Sequence, residues 1–234
     1  EVRKQDSFID SVTHELKSPL ASLQLCLETL GRKGLEVDAR EHLRTMMLED
    51  VDRLRAFIDD VLEANRLSYA RAGMLNVSDV SLLELSEDCA EAVRIRHKLA
   101  ADEVVVHVDP DLIVSTDRAA LDIVVKNLID NAAKYSARPA QIEVVGRRDS
   151  DRRVSLEVRD AGIGIDKKNL KRVFHRFYRV EDPEVRERRG TGLGPFVVWA
   201  LVKQLGGKVQ AMSDGPGKGT TIRVELPTSP ITST

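Results

Sequence analysis

The sequence is poor in aromatic residues, carries almost no net charge and contains no long apolar run. Aromatic residues make up 4% of the 234 residues, so the core must be built mainly from aliphatic side chains. The formal net charge of −2 lacks the basic excess that is typical of nucleic-acid-binding domains. Apolar runs such as residues 196–202 are much shorter than the ~20 residues that cross a bilayer. We therefore expect no nucleic-acid partner and no membrane segment in this chain.

Cysteine is also scarce, which excludes a disulfide framework and a cysteine-rich metal site. Cys26 and Cys89 are far apart in sequence, and each falls within a helical pattern. Both are predicted to be reduced thiols in the protein interior, as in a reducing compartment.

Charged residues are abundant at 32%, and in the first part of the chain they alternate with apolar residues at helical spacing. The spacing of three and four residues predicts two long amphipathic helices, joined through the break at residues 31–34. A lone hairpin cannot cover both apolar seams, so dimerisation into a four-helix bundle is the simplest way to bury them. The first seam comprises Ile9, Val12, Leu16, Leu20, Leu23, Leu27 and Leu30, and the second comprises Leu43, Met47, Val51, Leu54, Ile58 and Val61.

The pattern changes after residue 70, where helices and short β-strands begin to alternate. We assign residues 1–70 to the helical hairpin, 71–76 to a linker and 77–234 to a second domain. Helices are expected over 82–99, over 117–135 with Thr116 or Asp117 as the N-cap, and from Gly194 onward. Strands are expected near 104–108, 142–145, 154–158, 208–212 and 220–226, with a turn over 147–153. The predicted class is α+β, with the second domain an α/β sandwich that has its helices on one sheet face.

His14 is the first candidate for chemistry. It lies between the seam residues Val12 and Leu16, and at about 100° per residue it points roughly opposite to both. Neutral histidine is a nucleophile near pH 7, and the adjacent Glu15 could accept a hydrogen bond from the second ring nitrogen. Pro19 would kink the helix close to this pair.

Polar residues follow one stripe of the predicted 117–135 helix. Asn127, Asn131, Lys134 and Tyr135 are spaced i, i+4, i+7 and i+8 and therefore share a face. Alone, this stripe is more typical of a solvated helix surface than of a binding site.

Two glycine-rich segments come later in the chain. Asp160-Ala161-Gly162-Ile163-Gly164 follows a predicted strand, and its glycines allow the backbone to approach a ligand closely. Gly190-Thr191-Gly192-Leu193-Gly194 opens into a helix, whose N-terminal N–H groups attract phosphates.

The segment from His14 to Pro19 resembles the phosphoacceptor box of sensor histidine kinases, with its His-Glu-Leu-basic-small-Pro core. This resemblance implies that His14 is autophosphorylated and that Glu15 is its acid/base partner. Ser18 stands where the family usually has Thr or Asn, the residue that positions water to dephosphorylate the partner regulator. The resemblance also implies a homodimer, and a receiver domain of a separate response regulator as the partner. The location it implies is cytoplasmic, including the cytoplasmic part of a membrane-bound sensor.

The later motifs, in this order, resemble those of the histidine-kinase ATP-binding domain, a relative of the gyrase and Hsp90 ATPases. The resemblance implies ATP and Mg²⁺, with Asn131 as the metal ligand and Asn127 supporting it. Lys134 would contact phosphate, Tyr135 would line the nucleotide, and Asp160 would accept a hydrogen bond from the adenine amino group. Residues 180–189 would form a mobile lid, Phe174 and Phe177 would anchor it, and Gly217–Thr221 would be the last glycine box. The remaining nucleotide-binding residues that the resemblance implies are Gly162, Gly164, Gly190, Thr191, Gly192, Leu193 and Gly194.

This sequence departs from the family pattern at Arg189, which replaces a frequent glycine, and at Pro195, which replaces leucine. Proline is tolerated in the first turn of a helix, so the helix is expected to form.

Two alternatives remain beside an autokinase. One is a nucleotide-binding pseudokinase or scaffold that signals by conformation alone, for which Arg189 and Pro195 are the only support. The other is a chaperone- or topoisomerase-like ATPase. The hairpin that carries His14 and the amide at Asn127 are both evidence against this alternative. A Walker phosphate loop is excluded because Gly219, and not Ser or Thr, follows Gly217-Lys218. A Rossmann loop is excluded because the glycine spacing of the 190–194 segment does not match it.

Overall fold

The structure is a computed structural model, and it describes residues 17, 19–31, 35–48, 50–51, 54, 58, 75–175, 178 and 193–229. The chain divides into two compact units, Glu1–Asn65 and Arg66–Thr234. The finer limits expected from the sequence, with a linker over 71–76, stay a prediction because residues 59–74 lie outside the described ranges.

The first unit contains two helical runs, α1 (19–30) and α2 (37–48), as the apolar spacing predicts, and the described residues 17, 50, 51, 54 and 58 are also helical. The Gly31 N–H donates to the Leu27 carbonyl at 3.2 Å and closes the last turn of α1. In the single chain, seam residues remain partly exposed, with Leu20 at 53% and Leu27 at 61% of their full accessibility. Such apolar exposure on a helix pair indicates a surface that is covered in an assembly.

In its described residues, the second unit is an α/β sandwich of three α-helices and two sheets. Its helices are α3 (Leu82–His97), α4 (Arg118–Tyr135) and α5 (Gly194–Gln204). A five-stranded sheet has the order β2-β4-β5-β7-β6, in which only β2 and β4 pair in parallel, and β1 pairs with β3 in a separate two-stranded sheet. The strands are β1 (Val77–Ser81), β2 (Val104–Val108), β3 (Ile113–Asp117), β4 (Ile142–Ser150), β5 (Arg153–Asp160), β6 (Lys208–Met212) and β7 (Thr220–Pro227).

The five-stranded sheet separates an apolar face from a charged one. On β5 and β7, Leu156 pairs with Val224 and both are buried, whereas the next pair is Glu157 with Arg223. Because side chains alternate along a strand, the apolar set covers the face on which the helices pack, and the charged set covers the other. There, Arg223 binds Glu157 at 2.7 Å and Asp149 at 2.6 Å.

Helix α4 lies at the centre of the helical layer and begins at a defined cap. The Asp117 carboxylate accepts a hydrogen bond from the Ala120 N–H at 3.0 Å, which confirms one of the two predicted caps. Leu121, Val124 and Val125 are fully buried along the face toward the sheet and the neighbouring helices. This packing fixes the direction of the opposite, polar stripe.

Two local expectations were wrong or incomplete. The β4–β5 hairpin is longer than predicted, since residues 147–150 and 153 belong to strands and only 151–152 form the turn. The small β1–β3 sheet was not predicted, because β1 is exposed over most of its length and lacks an apolar signal.

None of the helices in the described ranges is long and apolar enough to span a bilayer. Both cysteines are free and buried, as expected. Burial, together with the neighbouring Asp122 carboxylate, raises the pKa of the Cys89 thiol to about 12, so this thiol is unreactive near neutral pH.

Ser86 is a buried hydroxyl on α3 that has no hydrogen-bond partner among the described residues. We expect Ser86→Ala to raise the free energy of unfolding by about 1 kcal/mol, because it removes an unsatisfied buried polar group and improves helix propensity. Ser136→Ala is the matched control, since the Ser136 hydroxyl donates to the Ala132 carbonyl at 2.8 Å, and this substitution should destabilise. Urea unfolding of both variants checks the prediction, and a loss of stability in Ser86→Ala would refute it.

Candidate functional site

Asp160 ends strand β5, and only one of its two carboxylate oxygens accepts hydrogen bonds from the described residues. Its Oδ1 accepts hydrogen bonds from the Gly162 N–H at 2.8 Å and the Thr220 N–H at 3.2 Å. Among the described residues, Oδ2 accepts no hydrogen bond. Burial raises the pKa of Asp160 despite the two backbone donors, which act in the opposite direction. The arrangement provides a fixed acceptor for one further donor.

Gly162 lies tightly against the C-terminal end of α4. The N–H of the next residue, Ile163, donates to the Tyr135 carbonyl at 3.2 Å. A Cβ on Gly162 would overlap that carbonyl oxygen and would lie 2.7 Å from Asp160 Oδ1. Only glycine therefore allows this loop to join the end of α4 to the Asp160 carboxylate.

The loop that follows Asp160 runs beside the β6–β7 loop and is hydrogen-bonded to it. Gly217 donates to the Ile163 carbonyl at 2.6 Å, and Gly219 donates to the Gly162 carbonyl at 3.1 Å. Gly164 and Gly219 have φ values of 69° and 68°, in the left-handed region that favours glycine. The segment from Asp160 to Gly164 and the last glycine box, Gly217–Thr221, thus form one backbone cradle.

The polar stripe of α4 borders this cradle. Asn127, Asn131, Lys134 and Tyr135 are each half-buried. The Asn127 side-chain amide donates to the Ile123 carbonyl at 2.9 Å, and this bond orients its oxygen. Lys134 Nζ lies 4.9 Å from the centre of the Tyr135 ring. The shared face that the spacing predicts is present.

Helix α5 begins directly beside the two amides. A Cβ on Gly194 would lie 2.8 Å from Asn127 Oδ1 and 3.4 Å from Asn131 Nδ2. Leu193 is buried just before the helix, and Pro195 occupies its first turn, as expected. The N-terminal N–H groups of α5 and the amides of α4 therefore approach the same region, with the positive end of the helix dipole toward it.

The donor set fits a magnesium ion that is held mainly by a ligand. Within the described ranges, no group of three or more His, Cys, Asp or Glu residues could hold a metal by itself. Mg²⁺ usually takes one or two protein oxygens and completes its shell with phosphates and water. The amide oxygens of Asn127 and Asn131 next to a helix N-terminus meet this requirement.

Of the catalytic and nucleotide-binding residues that the sequence predicts, the structure describes nine, and the others lie outside the described ranges. The nine are Asn127, Asn131, Lys134, Tyr135, Asp160, Gly162, Gly164, Leu193 and Gly194. The predicted roles of His14, Glu15, Ser18, Gly190, Thr191, Gly192, Phe177, Arg189 and the 180–189 lid fall on residues that are not described.

Two contributors were missed by sequence reasoning. The Thr220 N–H donates a hydrogen bond to Asp160, although the motif comparison assigned Thr220 no role of its own within the last glycine box. Ser213 joins the two loops of the cradle through its hydroxyl, and no sequence motif marked it.

Comparison with known families assigns both parts of the chain. Residues 4–69 match the His Kinase A (phospho-acceptor) domain. Residues 116–230 match the histidine kinase-, DNA gyrase B- and HSP90-like ATPase family.

Individual relatives agree with these matches. The chain is 30% identical over 227 residues to the sensor-like histidine kinase SenX3 of Mycolicibacterium smegmatis, covering 95% of this chain and 57% of that protein. The chain thus spans little more than half the length of that curated relative.

Solved structures share the fold. The mycobacterial sensor histidine kinase MprB superposes with a TM-score of 0.57 at 29% identity, covering 66% of this chain and 99% of that one. Histidine kinase ThkA in complex with response regulator protein TrrA gives a TM-score of 0.74 at 20% identity, covering 99% of this chain and 65% of that one. Because residues 4–69 and 116–230 match the phospho-acceptor and ATPase domains and the curated relative is a sensor-like histidine kinase, this chain belongs to the sensor histidine kinase family.

Proposed function

We propose that this chain is an ATP-dependent autokinase core that phosphorylates His14 and passes the phosphoryl group to an aspartate of a response regulator. The observation that carries the proposal is the Asp160 carboxylate, whose Oδ1 is occupied by two backbone donors while Oδ2 accepts none from the described residues. The geometry suits the 6-amino group of adenine, since a purine amino group donates where a carboxylate accepts.

The adenine end of the site would be formed by Asp160 and the glycine cradle. Gly162 and Gly164 allow the cradle to close, because a Cβ at either position would overlap a backbone carbonyl oxygen, that of Tyr135 or that of Gly215. Tyr135, half-buried at the end of α4, would line the nucleotide from the adjoining side. Recognition by one oriented carboxylate favours adenine over guanine, which carries a carbonyl oxygen at the corresponding position.

The phosphate end would be formed by α4 and the start of α5. The N–H groups of the first turn of α5, next to Gly194, attract phosphate oxygens, and Lys134 adds a positive charge. Gly190, Thr191, Gly192 and Leu193 would extend this phosphate-binding backbone. Mg²⁺ would be held by Asn131 with Asn127 in support, and when bound it would neutralise charge on the phosphates.

The phosphoacceptor step would use His14 as a neutral nucleophile. One ring nitrogen attacks the γ-phosphorus in line, the bond from that phosphorus to the β–γ bridging oxygen breaks, and ADP leaves. Glu15 would accept the hydrogen bond of the other ring nitrogen and stabilise the positive charge that develops on the ring. Ser18, which retains a hydroxyl, would position water for dephosphorylation of the regulator.

A homodimer is supported by the apolar residues that the single chain leaves exposed. Leu20, Leu27, Val51 and Ile58 all belong to the predicted seams, and each exposes 43% or more of its accessible surface. Burying these residues against a second hairpin would remove a large apolar surface from water. The proposed partners are therefore a second copy of this chain and a response regulator.

The direct test is incubation of the protein with Mg-ATP labelled on the γ-phosphate. We expect acid-labile, alkali-stable label on the protein, followed by its transfer to a receiver domain as an alkali-labile acyl phosphate. Nucleotide binding without any label would instead favour the pseudokinase reading.

The metal assignment predicts a specific response of Asn131→Ala. We expect this substitution to raise the Kd for ATP about tenfold when Mg²⁺ is present, because one metal ligand is lost, and to leave binding in EDTA nearly unchanged. Calorimetric titration with and without the metal checks this. Asn76→Ala, at an exposed position before β1, is the control, and equal weakening of ATP binding under both conditions would contradict the metal role.

A further inference from the structure

Ser213 follows strand β6 and uses one hydroxyl to bind two separate loops. Its Oγ accepts hydrogen bonds from the Ile165 N–H at 3.0 Å and the Gly215 N–H at 3.3 Å. The same hydroxyl lies 2.6 Å from the Gly219 carbonyl, to which it donates. A second carbonyl, that of Gly215, lies at 3.3 Å. A single side chain thus fixes the spacing between the Asp160 loop (160–165) and the β6–β7 loop (213–219).

This spacing controls the orientation of the Asp160 carboxylate. Of the two N–H groups that hold Oδ1, that of Gly162 belongs to the Asp160 loop, and that of Thr220 directly follows the β6–β7 loop. Gly219, which accepts the Ser213 hydroxyl, is the residue immediately before Thr220. A shift of one loop against the other would therefore stretch one of the two bonds and rotate Oδ2.

The remaining links between the loops do not replace the hydroxyl. Gly217 to Ile163 and Gly219 to Gly162 are bonds between backbone atoms of glycine-rich segments. Three glycines of the β6–β7 loop have positive φ, namely Gly215, Gly217 and Gly219. Glycine-rich backbone has many accessible conformations, so a side-chain anchor at its start restricts it most.

We propose that Ser213 is a positioning residue for adenine recognition, which holds the two loops in the register that aims Asp160 Oδ2 at the purine amino group. The proposal rests on the nucleotide site described above and deepens it. Ser213 itself makes no contact with substrate in this scheme and acts through Asp160.

The test compares ATP with its analogue lacking the 6-amino group, purine riboside triphosphate, in the full chain. We expect Ser213→Ala to raise the Kd for ATP about tenfold, while the Kd for the analogue changes less than about twofold, since the analogue does not use the aimed oxygen. Ser213→Thr keeps the hydroxyl and should restore most of the affinity for ATP.

Ser155→Ala is the matched control. Ser155 is a buried serine on β5, five residues before Asp160 on the same strand, and its hydroxyl donates to Asp149 at 2.9 Å. The Ser155→Ala substitution should lower the melting temperature without changing the ratio of the Kd for ATP to the Kd for the analogue. Unchanged ATP binding in Ser213→Ala, or equal weakening for both ligands, would overturn the proposal.

These outcomes are independent of the phosphoryl transfer. If the wild-type chain binds ATP but incorporates no label, the autokinase proposal fails, and the Kd ratio still decides the role of Ser213. If the wild-type chain incorporates label and the ratio does not change in Ser213→Ala, only the positioning role fails.

Discussion

Replacing His14 with alanine is expected to abolish incorporation of phosphate from γ-labelled ATP, while the Kd for ATP stays within about twofold of the wild-type value. The proposed nucleotide site is built from α4, α5 and the glycine cradle, all within the unit Arg66–Thr234, whereas residue 14 belongs to the unit Glu1–Asn65. Loss of the imidazole would therefore remove the proposed nucleophile without removing any group of the proposed nucleotide site.

His42→Ala is the matched control for this experiment. His42 lies exposed on α2, in the same unit as His14, and no motif includes it. Label should persist in His42→Ala, and it should be acid-labile as in the wild type. Label that survives in His14→Ala with the same acid lability would mean that another histidine is the acceptor, and the assignment of the phosphoacceptor box would be wrong.

The elements that carry the site could be predicted from the sequence where the signal was local. Helix α4 combines an N-cap aspartate, Asp117, with an apolar face at helical spacing, and both of its ends agree with the prediction. The polar stripe on its other face follows from the same periodicity. The function of the stripe could not be predicted from spacing, because the same spacing also occurs on ordinary solvated helices. The structure adds the close approach of Gly194 to Asn127, which the spacing does not reveal.

Contacts between loops distant in sequence could not be predicted. Ser213 and Ile165 are separated by 48 positions, and nothing in Met212-Ser213-Asp214 differs from an ordinary strand end. The extension of the β4–β5 hairpin was missed for a related reason. Residues 147–150 are polar or charged and exposed, so their pattern suggests a loop, but their backbone continues the pairing with β5.

Asp160→Asn is expected to weaken ATP binding by about 100-fold or more without destabilising the domain. An asparagine oxygen can still accept from Gly162 and Thr220, so the local backbone keeps its bonds. The amide nitrogen would then occupy the position of Oδ2, where it would place a donor against the donor of adenine. The substitution also removes a carboxylate whose ionised form is destabilised by burial.

The difference in unfolding free energy between Asp160→Asn and the wild type should depend on pH. The pKa of Asp160 is raised in the folded state, so its contribution to stability is fully present below the ordinary value of 3.8 and is lost as the pH rises through the raised pKa. The variant lacks this titration. Its free energy of unfolding relative to the wild type should therefore increase from about pH 4 upward and level off once Asp160 is ionised.

Asp149→Asn separates this effect from the general loss of a carboxylate. Asp149 pairs with Arg223 at 2.6 Å on the charged face of the sheet, away from the cradle, so its loss should leave ATP binding unchanged and should not stabilise the fold. Urea unfolding between pH 4 and 7, with ATP titrations on the same samples, measures both quantities. If the Asp160→Asn variant is destabilised, its loss of ATP binding would be explained by unfolding. A stable variant that still binds ATP tightly would remove Asp160 from adenine recognition, and the cradle would then have to recognise its ligand through backbone contacts alone.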